Sequence, residues 1–180
     1  MFGNIKSRKT LEKLTSKITD GSHNPPKECY KSPYLMLSSQ NIYDELILDN
    51  VRYISKLDFE AENKRTNIQN GDVLLTIVGT IGRTYVIKND EKYVFQRSVG
   101  VIKPLNMILN GTWLAAYLQT SEAVNQLENR IHGSSQKGIY INDLKKLQIP
   151  VVGFEEQKEF EKFVHQIDKS KYFGGVCYGL

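Results

Sequence analysis

Asn70-Gly71-Asp72-Val73-Leu74-Leu75-Thr76-Ile77-Val78-Gly79-Thr80-Ile81-Gly82-Arg83 is the stretch that decides the fold. Val73 to Val78 is the longest largely apolar run in the chain. Gly71-Asp72 marks a turn before it, and Gly79 and Gly82 flank Thr80-Ile81 after it. A run of this length, rich in β-branched residues and bounded by glycines, predicts a buried strand rather than a helix. Arg83-Thr84-Tyr85-Val86-Ile87 is a second β-favouring segment. Gly79 to Gly82 therefore reads as the tight connection of a hairpin or as a sharp bend, where glycine supplies positive φ and lets a partner approach the backbone.

Around this strand lies a chain of 180 residues, enough for one well-buried core or for one domain with an appendage. A hydrophobic content of 40% and a charged content of 24% are those of a soluble globular protein. No run reaches membrane-spanning length, and the N-terminus lacks the apolar centre of a signal peptide. Cys29 and Cys177 form neither a disulfide framework nor a metal-ligand cluster. The expected setting is a reduced bacterial cytoplasm with no membrane partner. Net charge is +4, and residues 1–31 account for all of it, with Lys6, Arg8, Lys9, Lys13, Lys17, Lys27 and Lys31 against Glu12, Asp20 and Glu28. A basic end on a neutral body suits a polyanion, and equally suits a solvated lysine-rich surface.

Upstream, Leu11, Leu14 and Ile18 at helical spacing predict a short basic helix over residues 6–18. Asp20-Gly21-Ser22-His23-Asn24-Pro25-Pro26 is a loop, fit either to contact phosphates and base edges or to end the helix as an Asx turn. Asn24-Pro25-Pro26-Lys27 lacks the aromatic with which amino-methyltransferases stack a flipped base, and no glycine-rich cofactor loop precedes it. Pro33 to Ser38 predicts a strand, Ile47 to Ile54 two short strands about Asp49-Asn50, and Phe59 to Gln69 a loop–helix element. Asp58, Glu60, Glu62 and Lys64 in that element read as a solvated face, not as a metal-nuclease cluster. Downstream, Tyr93 to Phe95 and Ser98 to Ile102 predict strands joined through Gln96-Arg97. Trp113, Leu114, Tyr117, Leu118, Val124, Leu127 and Ile131 predict two short helices capped by Thr112 and Ser121, with Trp113 in the core. His132-Gly133-Ser134-Ser135-Gln136-Lys137-Gly138 is a glycine-bent loop with hydroxyls and a lysine, suited to phosphates. A C-terminal helix follows, of about 18 residues or ~27 Å before Gly174-Gly175. Its face carries Phe160, Phe163, Val164 and Ile167.

Several of these segments, in this order, resemble the hallmarks of type I restriction-modification specificity subunits. They are Asp20-Gly21-Ser22-His23, the stretch Gly71 to Arg83, Phe95-Gln96-Arg97-Ser98-Val99, Gly133 to Lys137 leading into Ile139 to Leu144, and Glu155-Glu156-Gln157 after Ile149-Pro150. The resemblance implies an α+β fold: a β-rich target recognition domain over residues 1–152, with flanking short helices, and a truncated conserved helix and tail over 153–180. It thus implies half of a two-domain subunit. The implied function is sequence-specific DNA binding, reading a short half-site while positioning methyltransferase and restriction/translocase subunits. The chain itself would be non-catalytic and would carry no cofactor, with S-adenosylmethionine, ATP and Mg confined to the partner subunits.

The implied DNA-binding residues are Ser22, His23, Thr80, Arg83, Gln96, Arg97, Ser134, Ser135, Gln136 and Lys137. Gln and Arg can fork to adenine and guanine, although Gln96 and Arg97 could instead orient their loop. Phe160, Phe163, Val164 and Ile167 either join two copies as a homodimer or pack back on the domain. The competing reading is a protein-interaction scaffold that uses the same helix face without DNA. An enzyme is disfavoured because no nucleophile–base pair or metal cluster can be assembled from the sequence.

Overall fold

β5 (Val73–Thr76) runs through the middle of a four-stranded antiparallel sheet of order β2-β8-β5-β6, formed with β2 (Thr15–Asp20), β6 (Thr84–Val86) and β8 (Val99–Pro104). This computed structural model describes residues 7–88 and 92–174, with side chains described as far as residue 167. Every residue of β5 is buried because both faces of the sheet are covered. Val73, Leu75 and Ile77 enter one apolar cluster with Trp113 and Tyr117, whereas Leu74 enters another with Leu37, Phe95, Val99 and Val101. Alternate side chains of a strand point to opposite faces, so a strand covered on both sides reads as an unbroken apolar run.

The first cluster is roofed by α2 (Gly111–Leu118) and α3 (Ser121–Glu128), with Trp113 and Tyr117 fully buried and their rings stacked 5.8 Å apart. On the other side lies a three-stranded sheet, β4 (Arg52–Tyr53), β3 (Leu35–Leu37) and β7 (Tyr93–Phe95), in which β3 pairs antiparallel with β4 and parallel with β7. α1 (Lys56–Thr66) packs there, with Phe59 against Tyr34 at 4.7 Å. The expected mixed α+β class, the central strand, a strand within 33–38, the two strands about Gln96-Arg97 and the core Trp113 are all present, and the loop–helix element expected over 59–69 is a helix that starts three residues earlier, at Lys56.

Four local expectations are corrected. The helix expected over 6–18 is absent from its described part, residues 7–18: β1 (Arg8–Thr10) pairs antiparallel with β9 (Gln148–Pro150), a 3-10 turn spans Leu11–Leu14, and β2 follows. Leu11 and Leu14 are both buried, because a spacing of three shares a face in a single 3-10 turn as well as in a helix. The pair of strands over 47–54 reduces to β4. The Asn41 amide donates to the carbonyls of Ile47 (2.9 Å) and Asp49 (3.3 Å), and Asn50 turns left-handed at φ 52°, so the backbone is held by a side chain instead of a ladder. The helix caps are Asn110 and Thr120, whose side chains accept from Trp113 N and Ala123 N, while the Thr112 hydroxyl donates to Glu161. Finally, after the one-turn α4 (Ile141–Leu144), α5 (Phe154–Gly174) spans 21 described residues, longer than expected.

α5 is anchored by its first turns. Gln157 is buried, donates to the carbonyls of Ile108 (3.1 Å) and Val152 (2.8 Å), and accepts from Asn110 N (2.8 Å). Phe160 packs on the main core and Val164 is half-buried, while Phe163 and Ile167 are 58% and 39% exposed. The expected stripe is thus divided along its length. Among the described residues, no helix is long and apolar enough to cross a membrane.

Candidate nucleic-acid interface

The segments singled out in the sequence meet where the two larger sheets join. At the end of β2, Ser22 N donates to Phe95 O (2.7 Å) and Arg97 N donates back to Ser22 O (2.9 Å), which stitches the Asp20–His23 loop to the β7–β8 connection. Gly21 makes this possible: a Cβ there would lie 2.0 Å from the Phe95 carbonyl oxygen. From β5 the chain steps sideways, with Ile77 N bonded to Ser98 O and Ile77 O accepting from Ile139 N, both at 2.9 Å. The β5–β6 connection is a hairpin, as its glycines suggest, but wider than a tight turn because Ile77 and Val78 pair elsewhere. Gly79 and Gly82 take φ of 82° and 98°, the left-handed region that glycine favours. The loop 133–137 is closed by paired bonds between His132 and Gly138 (2.8 and 3.0 Å), and Gly79 N reaches Lys137 O at 3.4 Å. Gly133, at φ 91°, would place a Cβ 2.4 Å from Gln136 O.

These loops enclose a depression of about 330 Å³ bordered by Asp20, His23, Val78, Arg97, Gln136 and Tyr140. Arg97 Nη2 donates to Gln136 Oε1 at 3.3 Å across it. Two imidazoles stand at its edges, each against a carboxylate. His23 Nε2 is 2.7 Å from Asp20 Oδ2, and His132 Nε2 is 3.0 Å from Asp143 Oδ2. The His132 ring also stacks on Tyr140 at 4.8 Å. Burial alone would raise the Asp20 carboxyl, but the hydrogen bond from Arg65, then His23, outweighs it and holds the group below its ordinary value. Asp143 is likewise held low, first by Lys146 and then by His132.

Of the expected DNA-binding residues, His23, Thr80, Arg97, Ser134, Ser135, Gln136 and Lys137 are exposed and Gln96 is half-buried, and His23, Arg97 and Gln136 border the depression. Arg83 lies at the base of the hairpin, its guanidinium carbon 3.9 Å from the centre of the Tyr43 ring. Ser22 is different: it is buried, and its hydroxyl donates to Glu62 at 3.1 Å, so it braces α1 against the loop. The acidic residues of α1 do separate work, Asp58 at the Ser55 cap, Glu60 near Lys56 and Glu62 on Ser22. Sequence reasoning missed Tyr43, Tyr140 and Arg65 at this face. Tyr140 follows the loop motif directly and was open to notice as an exposed aromatic beside a basic loop. Tyr43 and Arg65 are brought in from remote segments and carry no local signal.

The family model for the type I restriction modification DNA specificity domain matches residues 3–172. The chain belongs to that family. The EcoBI type I restriction enzyme specificity subunit of Escherichia coli is 30% identical over 123 residues, which is 68% of this chain and 26% of that subunit. This specificity domain therefore spans about a quarter of that relative's length. Its fold is that of the type I restriction-modification S subunit from M. genitalium, with a TM-score of 0.60 and 17% identity over 92% of this chain and 40% of that one. The HsdS subunit from Thermoanaerobacter tengcongensis shares it too, with a TM-score of 0.63 and 19% identity over 91% of this chain and 37% of that one.

Proposed function

We propose that this specificity domain reads a short half-site in duplex DNA and, without catalysing a reaction itself, positions methyltransferase and restriction/translocase subunits on it. The observation that carries this reading is the convergence on one face of hydroxyl, amide, imidazole and cationic side chains from four sequence-remote loops. Phosphates are met by groups such as Lys137, Ser134 and Ser135, and base edges by forked side chains such as Gln96 and Arg97. Loops held by backbone bonds to a rigid sheet present these groups at little ordering cost. S-adenosylmethionine, ATP and Mg belong, in this reading, to the partner subunits. Co-expression with a methyltransferase subunit, followed by methylation mapping, tests it. Modified sites should share one sequence motif and vanish when the specificity chain is omitted; a modification pattern independent of the chain would end the proposal.

A second reading concerns α5, motivated by the 58% exposure of Phe163. Two copies pairing through Phe163, Val164 and Ile167 would form a two-fold dimer suited to an inverted repeat. The same face could instead recruit a protein partner without DNA. Sedimentation at tens of micromolar, with and without Phe163→Asp, separates the cases: a wild-type monomer that the substitution leaves unaltered removes the dimer.

A further inference from the structure

Each arginine of this chain but one donates a side-chain hydrogen bond within it. Arg8 donates to Glu122, Arg52 to Pro26 O, Arg65 to Asp20, Arg97 to Gln136 and Arg130 to Gln126 O. Among the described residues, no hydrogen bond or ion pair engages the guanidinium of Arg83, which lies over the Tyr43 ring at 3.9 Å. A guanidinium held over an aromatic face keeps its N–H donors free for a planar partner, while the stack limits its rotation.

Both halves of this stack sit on fixed backbone. Arg83 N donates to Thr76 Oγ1 and Arg83 O accepts from Thr76 N, both at 2.9 Å, which clamps the base of the hairpin. Gln119 Nε2, at the end of α2, braces the neighbouring Gly82 carbonyl (2.8 Å) and the Thr84 hydroxyl (3.1 Å). Tyr43 follows the buried Ile42 in a short loop closed by the Ile42–Leu46 bridge and by Tyr43 N to Glu45 O at 3.1 Å. Tyr43 as a whole is 42% exposed.

We propose that Arg83 reads a guanine edge in the major groove and that Tyr43 is the residue that positions it, an inference that rests on the DNA-reading function proposed above. A two-stranded ribbon of this kind fits the major groove, where guanine presents O6 and N7 to an arginine fork. Local charge favours a base over a phosphate. Asp44 and Glu45 are exposed on the same loop as Tyr43, and in the depression that Arg83 borders Glu128 offsets Lys137. These carboxylates repel a phosphate and leave a neutral base edge unpenalised.

Selection from a pool of randomised duplexes, followed by affinity measurements on the enriched site, tests this. The wild-type chain should enrich a guanine at one position and lose affinity when 7-deazaguanine, which lacks the N7 acceptor, replaces it. Arg83→Lys keeps the charge but not the fork. It should lower discrimination at that position by about 5- to 150-fold, with affinity for unrelated duplex and the salt slope unchanged. Tyr43→Ala should lose part of the same discrimination, and Tyr43→Phe should retain it. Full binding with 7-deazaguanine at every guanine overturns the inference using the unaltered protein. So does an Arg83→Lys chain with wild-type preference, or an Arg83→Ala chain weakened equally on all sequences with a shallower salt slope. A wild-type chain that enriches no sequence removes the DNA-reading proposal together with this one; an enriched motif that the variants keep removes this one alone.

Discussion

Asp72→Ala should be among the most damaging single changes in the chain, and Lys103 is the reason. Asp72 and Lys103 form an ion pair whose side chains are only 7% and 11% exposed. Asp72 Oδ2 also accepts from Gln69 N at 2.7 Å, and Lys103 Nζ also donates to Asn67 O at 2.6 Å. The pair fastens the turn before β5 to β8, the strand beside it. Removing the carboxylate strands a buried ammonium, which costs about 3–5 kcal/mol. Against a total stability of about 5–15 kcal/mol, this is roughly a fifth or more of the fold.

The same physics predicts partial rescue. Asp72→Leu with Lys103→Met removes both charges and should be far milder than Asp72→Ala, because a buried pair is often no better than apolar residues of similar volume. Urea denaturation of the single and double variants measures the coupling, expected at about 1–3 kcal/mol for groups in contact. A loss below ~1 kcal/mol for Asp72→Ala, or strict additivity in the cycle, would refute the reasoning.

Three further outcomes are predicted. Gly79→Ala and Gly82→Ala should each cost roughly 1–3 kcal/mol of thermal stability from backbone strain, since their surroundings are open, and variants melting at or above wild type would remove the strain. Asp20 is held below its ordinary value of 3.8, so its contribution is full above that value and is lost as pH falls through its lower folded value. An acid titration of stability should therefore flatten in that window for Asp20→Asn, and an unaltered curve counts against the Arg65–Asp20–His23 cluster. Lys137→Ala should weaken duplex binding about equally on all sequences and make the salt slope shallower by about one unit, whereas an unchanged slope makes the 133–137 loop purely structural.

What could be read from the sequence was what is decided locally. β5 announces itself because both its faces are buried, and Gly79 and Gly82 because their φ is positive. The loop at 133–137 is legible through Gly133, whose missing side chain lets the turn close. Misreadings arose where a remote segment chose between two local options. Leu11 and Leu14 fit a helix or a 3-10 turn, and pairing of β1 with β9, far along the chain, selected the turn. Ser22 has the chemistry of a phosphate contact, yet Glu62 arrives beneath it and takes the hydroxyl. Tyr43 bears no pattern at all until the hairpin carries Arg83 over its ring. The Gln of Glu155-Glu156-Gln157, read only as part of a motif, proves to be the buried bolt between α5 and the start of α2.

The most direct measurement is the affinity of the unaltered chain for duplex DNA as salt is raised from about 50 to 200 mM. A face built to meet phosphates and bases should give a log–log plot falling linearly, with a slope set by the number of phosphates met, and tighter binding to the methylation-mapped motif than to scrambled duplex. No binding at the low-salt end, or binding indifferent to both salt and sequence, would contradict the assignment of this face to DNA.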